Sequence, residues 1–225
     1  MAKAKLVPIT RSEVVEKKAS EVAAQIAVDN FHEVFYEKQM CWWMGVSMQK
    51  NPLDLFMYQE ILYECKPDLV IECGTWHGGS ALYLANMMDI LQHGMVVTVD
   101  VNRWVGFPLH PRIFYVTGSS VDKKTSQQVA DIAGGFRKVM VILDSDHTKE
   151  HVSKELELYA PLVTPNQYLI VEDTNIHGHP VRRDLPPGPF EAVQKWLPSQ
   201  DDFRVDKDCE RFLMTFNPSG YLRRK

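Results

Sequence analysis

The chain has little that would commit it to a membrane, a nucleic acid or an oxidising compartment. No apolar run approaches the roughly 20 residues that span a bilayer, and the opening "MAKAKLVPITRSEVVEKK" lacks the apolar core of a secretory signal. Basic charge is not in excess. Against 29 Asp and Glu stand 25 Lys and Arg, a formal net charge of −4, so there is no surplus to hold a nucleic-acid backbone. Cysteine is scarce: Cys41, Cys65, Cys73 and Cys209 form no CxxC unit and no zinc spacing. The expectation is reduced thiols in a cytoplasmic protein. Internal repeats and low-complexity tracts are also missing. What remains is an ordinary globular composition, 45% hydrophobic and 24% charged over 225 residues, enough for one domain with a sizeable core.

Along the chain, residues 11–38 read as an amphipathic helix, with Val15, Ala19, Val22, Ile26 and the group Phe31, Val34 and Phe35 at three- and four-residue steps. A segment rich in Met and Trp follows, and Pro52 opens a second helix over Leu53–Glu64. From there strand-like and helix-like runs alternate. "DLVIEC", "MVVTVDV", "RIFYVTG", "KVMVILDSD" and "QYLIVEDTN" are strand-like; "GGSALYLANMMDILQ", "KTSQQVADIAGG", "KEHVSKELELYAPLV" and "PFEAVQKWL" are helix-like; the tail "DFRVDKDCERFLMTFNPSGYLRRK" reads as two strands joined by a polar turn. The fold class is therefore α/β: a doubly wound, mostly parallel, seven-stranded sheet covered on both faces. Residues 1–64 read as an N-terminal helical cap segment and 65–225 as the ligand-binding domain. In such sheets ligands sit beyond the carboxyl ends of the strands, where strand order reverses.

The first sheet strand runs into "VIECGTWHGGSALYLA". Glu72 ends the strand, Gly74 permits a tight turn that leaves backbone bare, Thr75 follows, and Gly78 and Gly79 open a helix that begins with Ser80. Asp100, at the end of the next strand, can accept hydrogen bonds from ribose hydroxyls. A dinucleotide fingerprint is G-x-G-x-x-G; here the spacing is G-x-x-x-G-G, with an acid inside the strand end. That departure favours S-adenosylmethionine (SAM), which has no pyrophosphate to seat on the helix.

Two later strands end in acids: Asp144, Ser145, Asp146 and His147 after one, Glu172 and Asp173 after the other. If the strands are neighbours, Asp146, Glu172 and Asp173 converge. Their mutual repulsion is relieved by a divalent cation, and an oxygen-only donor set suits Mg²⁺ or another hard ion. No convincing set of two histidines and a carboxylate, the pattern of iron oxygenases, is present. "HGHPVRRDLPPGP", His177 to Pro189, is placed to form a lid over a substrate.

"PDLVIECGTWHGGSALYLA", "DSDHTKEHV", "ELELYAPLVTPNQYLIVEDTNIHGHPV" and "WWMGVSMQKNPLDL" together resemble the cephalosporin hydroxylase family, a branch of the Mg²⁺- and SAM-dependent O-methyltransferases. The match covers roughly residues 40–185. The resemblance implies a Rossmann-like SAM methyltransferase fold with a helical extension at its N-terminal side. It implies metal ligands at Asp146, Glu172 and Asp173, and a SAM site bordered by Glu72, Gly74, Thr75, Gly78, Ser80, Asp100, Ser119 and Asp144. Trp43 and Gly45 of the Trp/Met segment would fold over the cofactor, or Trp43 would instead pack the N-terminal part onto the sheet. The family's general base falls at Lys149, with His147 as the rival. The acceptor is expected to be a hydroxyl of a small molecule: a sugar, a catechol-like ring or an antibiotic nucleus. Relatives assemble as oligomers, so a homo-oligomer is expected. A partner protein is the alternative setting, with this chain as a cofactor-binding subunit.

Overall fold

Strands that are apolar along their whole length must be covered on both sides, and the computed structural model, which describes residues 21–36, 40–103 and 106–225, shows how. β3 (Leu69–Cys73), β6 (Val139–Leu143) and β7 (Tyr168–Val171) are buried at every position. With β4 (Met95–Asp100), β5 (Ile113–Thr117), β8 (Phe203–Val205) and β9 (Tyr221–Arg224) they form a seven-stranded sheet of order β5-β4-β3-β6-β7-β9-β8. The first five in that order run parallel; β9 is antiparallel to both β7 and β8. Strand order therefore reverses between β3 and β6, where a doubly wound sheet opens its crevice.

Side chains alternate between the faces with the period of two that a strand imposes. Leu69, Ile71 and Cys73 of β3 enter one core with Val129 of α4 (Lys123–Ala133), Leu156 of α5 (Lys149–Tyr159) and Val193 of α6 (Pro189–Trp196). Val70 enters the other, with Ile61 of α2 (Pro52–Cys65) and Leu84 of α3 (Gly79–Leu91). α2 thus shares a core with the sheet. Its N-cap is Asn51, whose side chain accepts from the Leu53 amide at 3.0 Å.

Three expectations differ in detail. The helix expected over 11–38 is seen as α1 (Glu21–Tyr36); the rest of that range lies outside the described residues. The Trp/Met segment is a two-stranded antiparallel hairpin, β1 (Met40–Trp43) and β2 (Val46–Gln49). The tail supplies two strands, but the last inserts between β7 and β8, and 3-10 turns occupy much of the connection. Among the described residues no helix is long and apolar enough to cross a membrane, and none of the four cysteines is in a disulfide.

Candidate active site

The crevice is made by backbone that glycine alone allows. Gly74 leaves β3 at φ +100, and a Cβ there would overlap the carbonyl oxygen of Asp144 at the end of β6. A Cβ on Gly79 would lie 2.5 Å from the Ser47 carbonyl oxygen, so β2 presses directly on the first turn of α3. That contact carries Met48, Gln49 and Lys50 to the edge of the crevice. Asp100, from the end of β4, accepts the Thr75 amide at 3.1 Å and the Trp76 amide at 2.8 Å, which pins the turn.

Two cavities meet across this turn. The larger, about 520 Å³, is bordered by Asp100, Gly118, Ser119, Asp146 and His151 among others. The smaller, about 140 Å³, is bordered by Lys50, Thr75, Ser80, His147 and Asp173 among others. Both are lined by Gly74, Trp76, Asp144 and Ser145, so they form one elongated crevice. Beneath it Glu72 is fully buried: Oε2 accepts from Thr98 at 2.6 Å, while Oε1 has no hydrogen-bond partner. Burial pushes its carboxyl up to about 7.

That shift has a sign. In the folded chain Glu72 keeps its proton up to about pH 7, whereas the unfolded group loses it near its ordinary 4.5. Its contribution to stability is complete below pH 4.5 and is lost as pH rises through 7. Glu72→Gln is expected to flatten the fall of the thermal midpoint between pH 5 and 8, as differential scanning fluorimetry would show.

The acids sort themselves differently from the sequence-based trio. Asp144, His147 and Asp173 are brought together, each offering a ligand atom within 4.8 Å of the others. His147 Nε2 lies 3.2 Å from Asp173 Oδ2 and 4.0 Å from Asp144 Oδ1. Glu172 is turned away and engaged: Lys50 donates to its Oε2 at 2.6 Å and Tyr58 to its Oε1 at 2.6 Å. Asp146 also points elsewhere. It faces the larger cavity, and its Oδ1 accepts from the Thr148 amide at 2.8 Å, a local turn that competes with any outward reach. Burial raises the carboxyls of Asp144, Glu172 and Asp173 above their ordinary range. Burial would depress the Lys50 ammonium, but Asp144 and Glu172 outweigh it and raise its pKa.

Of the other expected positions, Thr75, Ser80, Ser119 and Asp100 line the crevice, and Gly78 caps α3 just behind it. The placement of Trp43 and Gly45 over a cofactor is not what the structure shows. Trp43 donates to Asn86 Oδ1 at 2.9 Å and packs edge-on against Tyr83 of α3, and Gly45 is the hairpin tip with open space around it. Neither borders the cavities. Lys149 opens α5 and gives its backbone amide to the Pro187 carbonyl at 3.2 Å, tying the 177–189 segment to that helix; it lines neither cavity. His147 therefore has the better position of the two candidate bases. Lys50, Tyr58 and Asn217, whose Oδ1 accepts the Asp173 amide at 3.0 Å, escaped the sequence reading. The one hint was a lysine immediately before the Asn-Pro that starts α2.

This arrangement can be set beside known proteins. The family model for rhamnosyl O-methyltransferase/CmcI matches residues 35–225. The chain belongs to this family. Rhamnosyl O-methyltransferase of Mycobacterium tuberculosis (strain ATCC 25618 / H37Rv) is 39% identical over 210 residues, covering 87% of this chain and 84% of the relative. The Mycobacterium leprae (strain TN) protein of the same name is 36% identical over 208 residues, 88% of this chain and 90% of the relative. Among solved structures, an apo form of CmcI superposes with a TM-score of 0.63 at 18% identity, covering 100% of this chain and 87% of the other. A CmcI structure with Mg and SAM gives 0.62 at 17%, covering 100% and 88%. At these identities the structures bear on fold: they share the mostly parallel sheet described above. The family resemblance read from the motifs holds, and the chain is a SAM-dependent O-methyltransferase of the rhamnosyl O-methyltransferase/CmcI family.

Proposed function

We propose that this methyltransferase moves the methyl group of SAM to a hydroxyl of a sugar of the rhamnose class, with a divalent cation held by Asp144 and Asp173. One observation carries the reading: the bare glycine crevice runs without interruption into the Asp144, His147 and Asp173 cluster. The fit to SAM is chemical as well as spatial. The larger cavity has room for a nucleoside, with Asp100 and Ser119 at its rim; the smaller offers the Thr75 and Ser80 hydroxyls to the amino-acid end. Glu72 lies buried at the end of β3 with one carboxyl oxygen unpartnered, so it can accept a hydrogen bond from above. The sugar class is supported by the mycobacterial relatives, which are named for a rhamnosyl acceptor.

Asp144 and Asp173 would hold the divalent cation, which when bound would supply Lewis acidity to lower the pKa of the acceptor hydroxyl. Asp144 and Asp173 orient that hydroxyl toward the crevice. His147 accepts its proton at Nε2. Trp76 and the glycine turn hold the donor against the reacting oxygen, and alignment of two bound reactants is worth about 7–11 kcal/mol.

The test is methyl transfer by the purified chain alone to an alkyl rhamnoside, followed by mass spectrometry, with Mg²⁺ or with EDTA. Transfer in Mg²⁺ that disappears in EDTA and returns on adding metal is expected. Undiminished transfer in EDTA rejects the metal role. A thermal midpoint unmoved by SAM rejects the donor, since any ligand selective for the folded state must raise it.

A further inference from the structure

We propose that the cavity between α1 and the 177–189 segment is a second carbohydrate subsite, which takes the sugar unit next to the one that is methylated. The inference rests on the reading of the acceptor as a glycoside. The cavity, about 430 Å³, lies apart from the crevice and shares no lining residue with it. α1 contributes Asp29 and His32, the segment contributes Pro180 and Arg183, and the connection between β8 and β9 contributes Leu213 and Pro218. The link to the reacting centre is short along the chain. His32 is fastened to the side chain of Asn175, two residues after Asp173, and the Asn175 carbonyl accepts the Val181 amide at 3.0 Å, so the segment folds back over the same point.

His32 is fixed in place before any ligand arrives. It is 2% exposed, with its ring packed against Phe31 and Phe216. The Asn175 side-chain amide donates to Nδ1 at 3.0 Å, and burial lowers the pKa to about 4, so the ring is neutral at pH 7 and carries its proton on Nε2. Among the described residues that N–H has no hydrogen-bond acceptor, which leaves it for the cavity the ring borders. Asp29, three residues earlier on the same helix, adds a carboxylate to that wall. Across from them Arg183 is exposed and engages only its Nε, with the Pro180 carbonyl at 3.4 Å, so among the described residues its terminal nitrogens are uncommitted. Donors and an acceptor are thus set around the apolar surface of Val28, Pro180, Leu213 and Pro218. A pyranose matches this mixture: its hydroxyls both donate and accept, and its C–H faces lie on apolar surface. The acids Asp29 and Glu210 in the wall disfavour an anion, and the charged groups disfavour a purely apolar chain, which would bury them unpaired.

The test compares the full chain with its Arg183→Met and His32→Phe variants. Methyl transfer is measured with methyl rhamnoside and with methyl dirhamnosides of each linkage, and dirhamnoside binding is followed by saturation-transfer NMR with S-adenosylhomocysteine present. Wild type should use the best dirhamnoside with a kcat/KM at least about tenfold above that for methyl rhamnoside, mostly through a lower KM, because the second ring gains hydrogen bonds that the single ring lacks. Arg183→Met and His32→Phe should each lower that ratio at least about fivefold. Arg183 is on the surface, so its variant should keep the wild-type thermal midpoint; it decides the matter if His32→Phe does not fold. A wild type that treats the two acceptors alike, or a ratio that Arg183→Met leaves unchanged, overturns the proposal. If no rhamnoside is methylated, the sugar reading of the acceptor fails, and the NMR decides the subsite separately. Dirhamnoside signals that Arg183→Met abolishes keep the carbohydrate site; signals absent from wild type, or unchanged in Arg183→Met, remove it.

Discussion

Asp173→Asn is expected to lower methyl transfer at least about 1,000-fold, the rate equivalent of the several kcal/mol that Lewis-acid activation supplies, while SAM affinity changes less than about threefold. The substitution keeps the shape and removes one of the two carboxylates facing His147. The Asp173 amide stays bonded to Asn217, so the backbone, at φ +53, has the same support as before. Asp173 borders only the smaller cavity, which is why donor binding should survive. Single-turnover transfer and calorimetric SAM titration separate the two effects. A variant turning over within tenfold of wild type contradicts the assignment.

Gly74→Ala should fail earlier, at folding and donor binding together. The residue sits at φ +100, where an L side chain is strained, and its Cβ would overlap the Asp144 carbonyl. Relief requires β3 and β6 to part at the switch point, although the Gly74 amide is held to Val99 and the Asp144 amide to Cys73, both at 2.8 Å. Strain and overlap together should cost about 3 kcal/mol or more. Denaturant midpoints should fall accordingly, and SAM should no longer raise the thermal midpoint. An alanine variant with wild-type stability and SAM response would show that the turn is not the tight floor described here.

Much of the architecture could be read because each local signal agreed with the next. β3, β4, β6 and β7 are apolar at nearly every position, and only a parallel sheet buried on both faces needs that. The glycine turn and Asp100 were equally plain, since a positive φ and an acid at a strand end are properties of single residues. The hairpin β1–β2 was hidden for the opposite reason. Its turn is Met44-Gly45, with φ of 49 and 85, and methionine does not announce a turn of positive φ as asparagine or aspartate would. The alternation of exposed Trp42 and half-buried Trp43 is masked by both being tryptophan.

The acid site was legible as a place but not as a set of ligands. Asp144 and Asp146 are two residues apart, and which one reaches the cluster depends on the Thr148 amide capturing Asp146. Glu172 and Asp173 are adjacent just past β7, and the chain turns at Asp173, which has φ +53: Glu172 faces Tyr58 and Lys50, Asp173 faces His147. Lys50 drew no reading from the sequence because its partners stand 94 and 122 residues away. Long-range pairings of this kind leave no periodic trace in a sequence.

The most direct test of the central claim is anomalous diffraction from crystals grown with Mn²⁺ and S-adenosylhomocysteine. The account predicts one strong manganese peak between the carboxylates of Asp144 and Asp173, beside the donor's sulfur in the glycine crevice, with Glu172 still on Lys50 and Tyr58. A peak at Asp146, or a metal coordinated directly by Glu172 with Lys50 displaced, would contradict it.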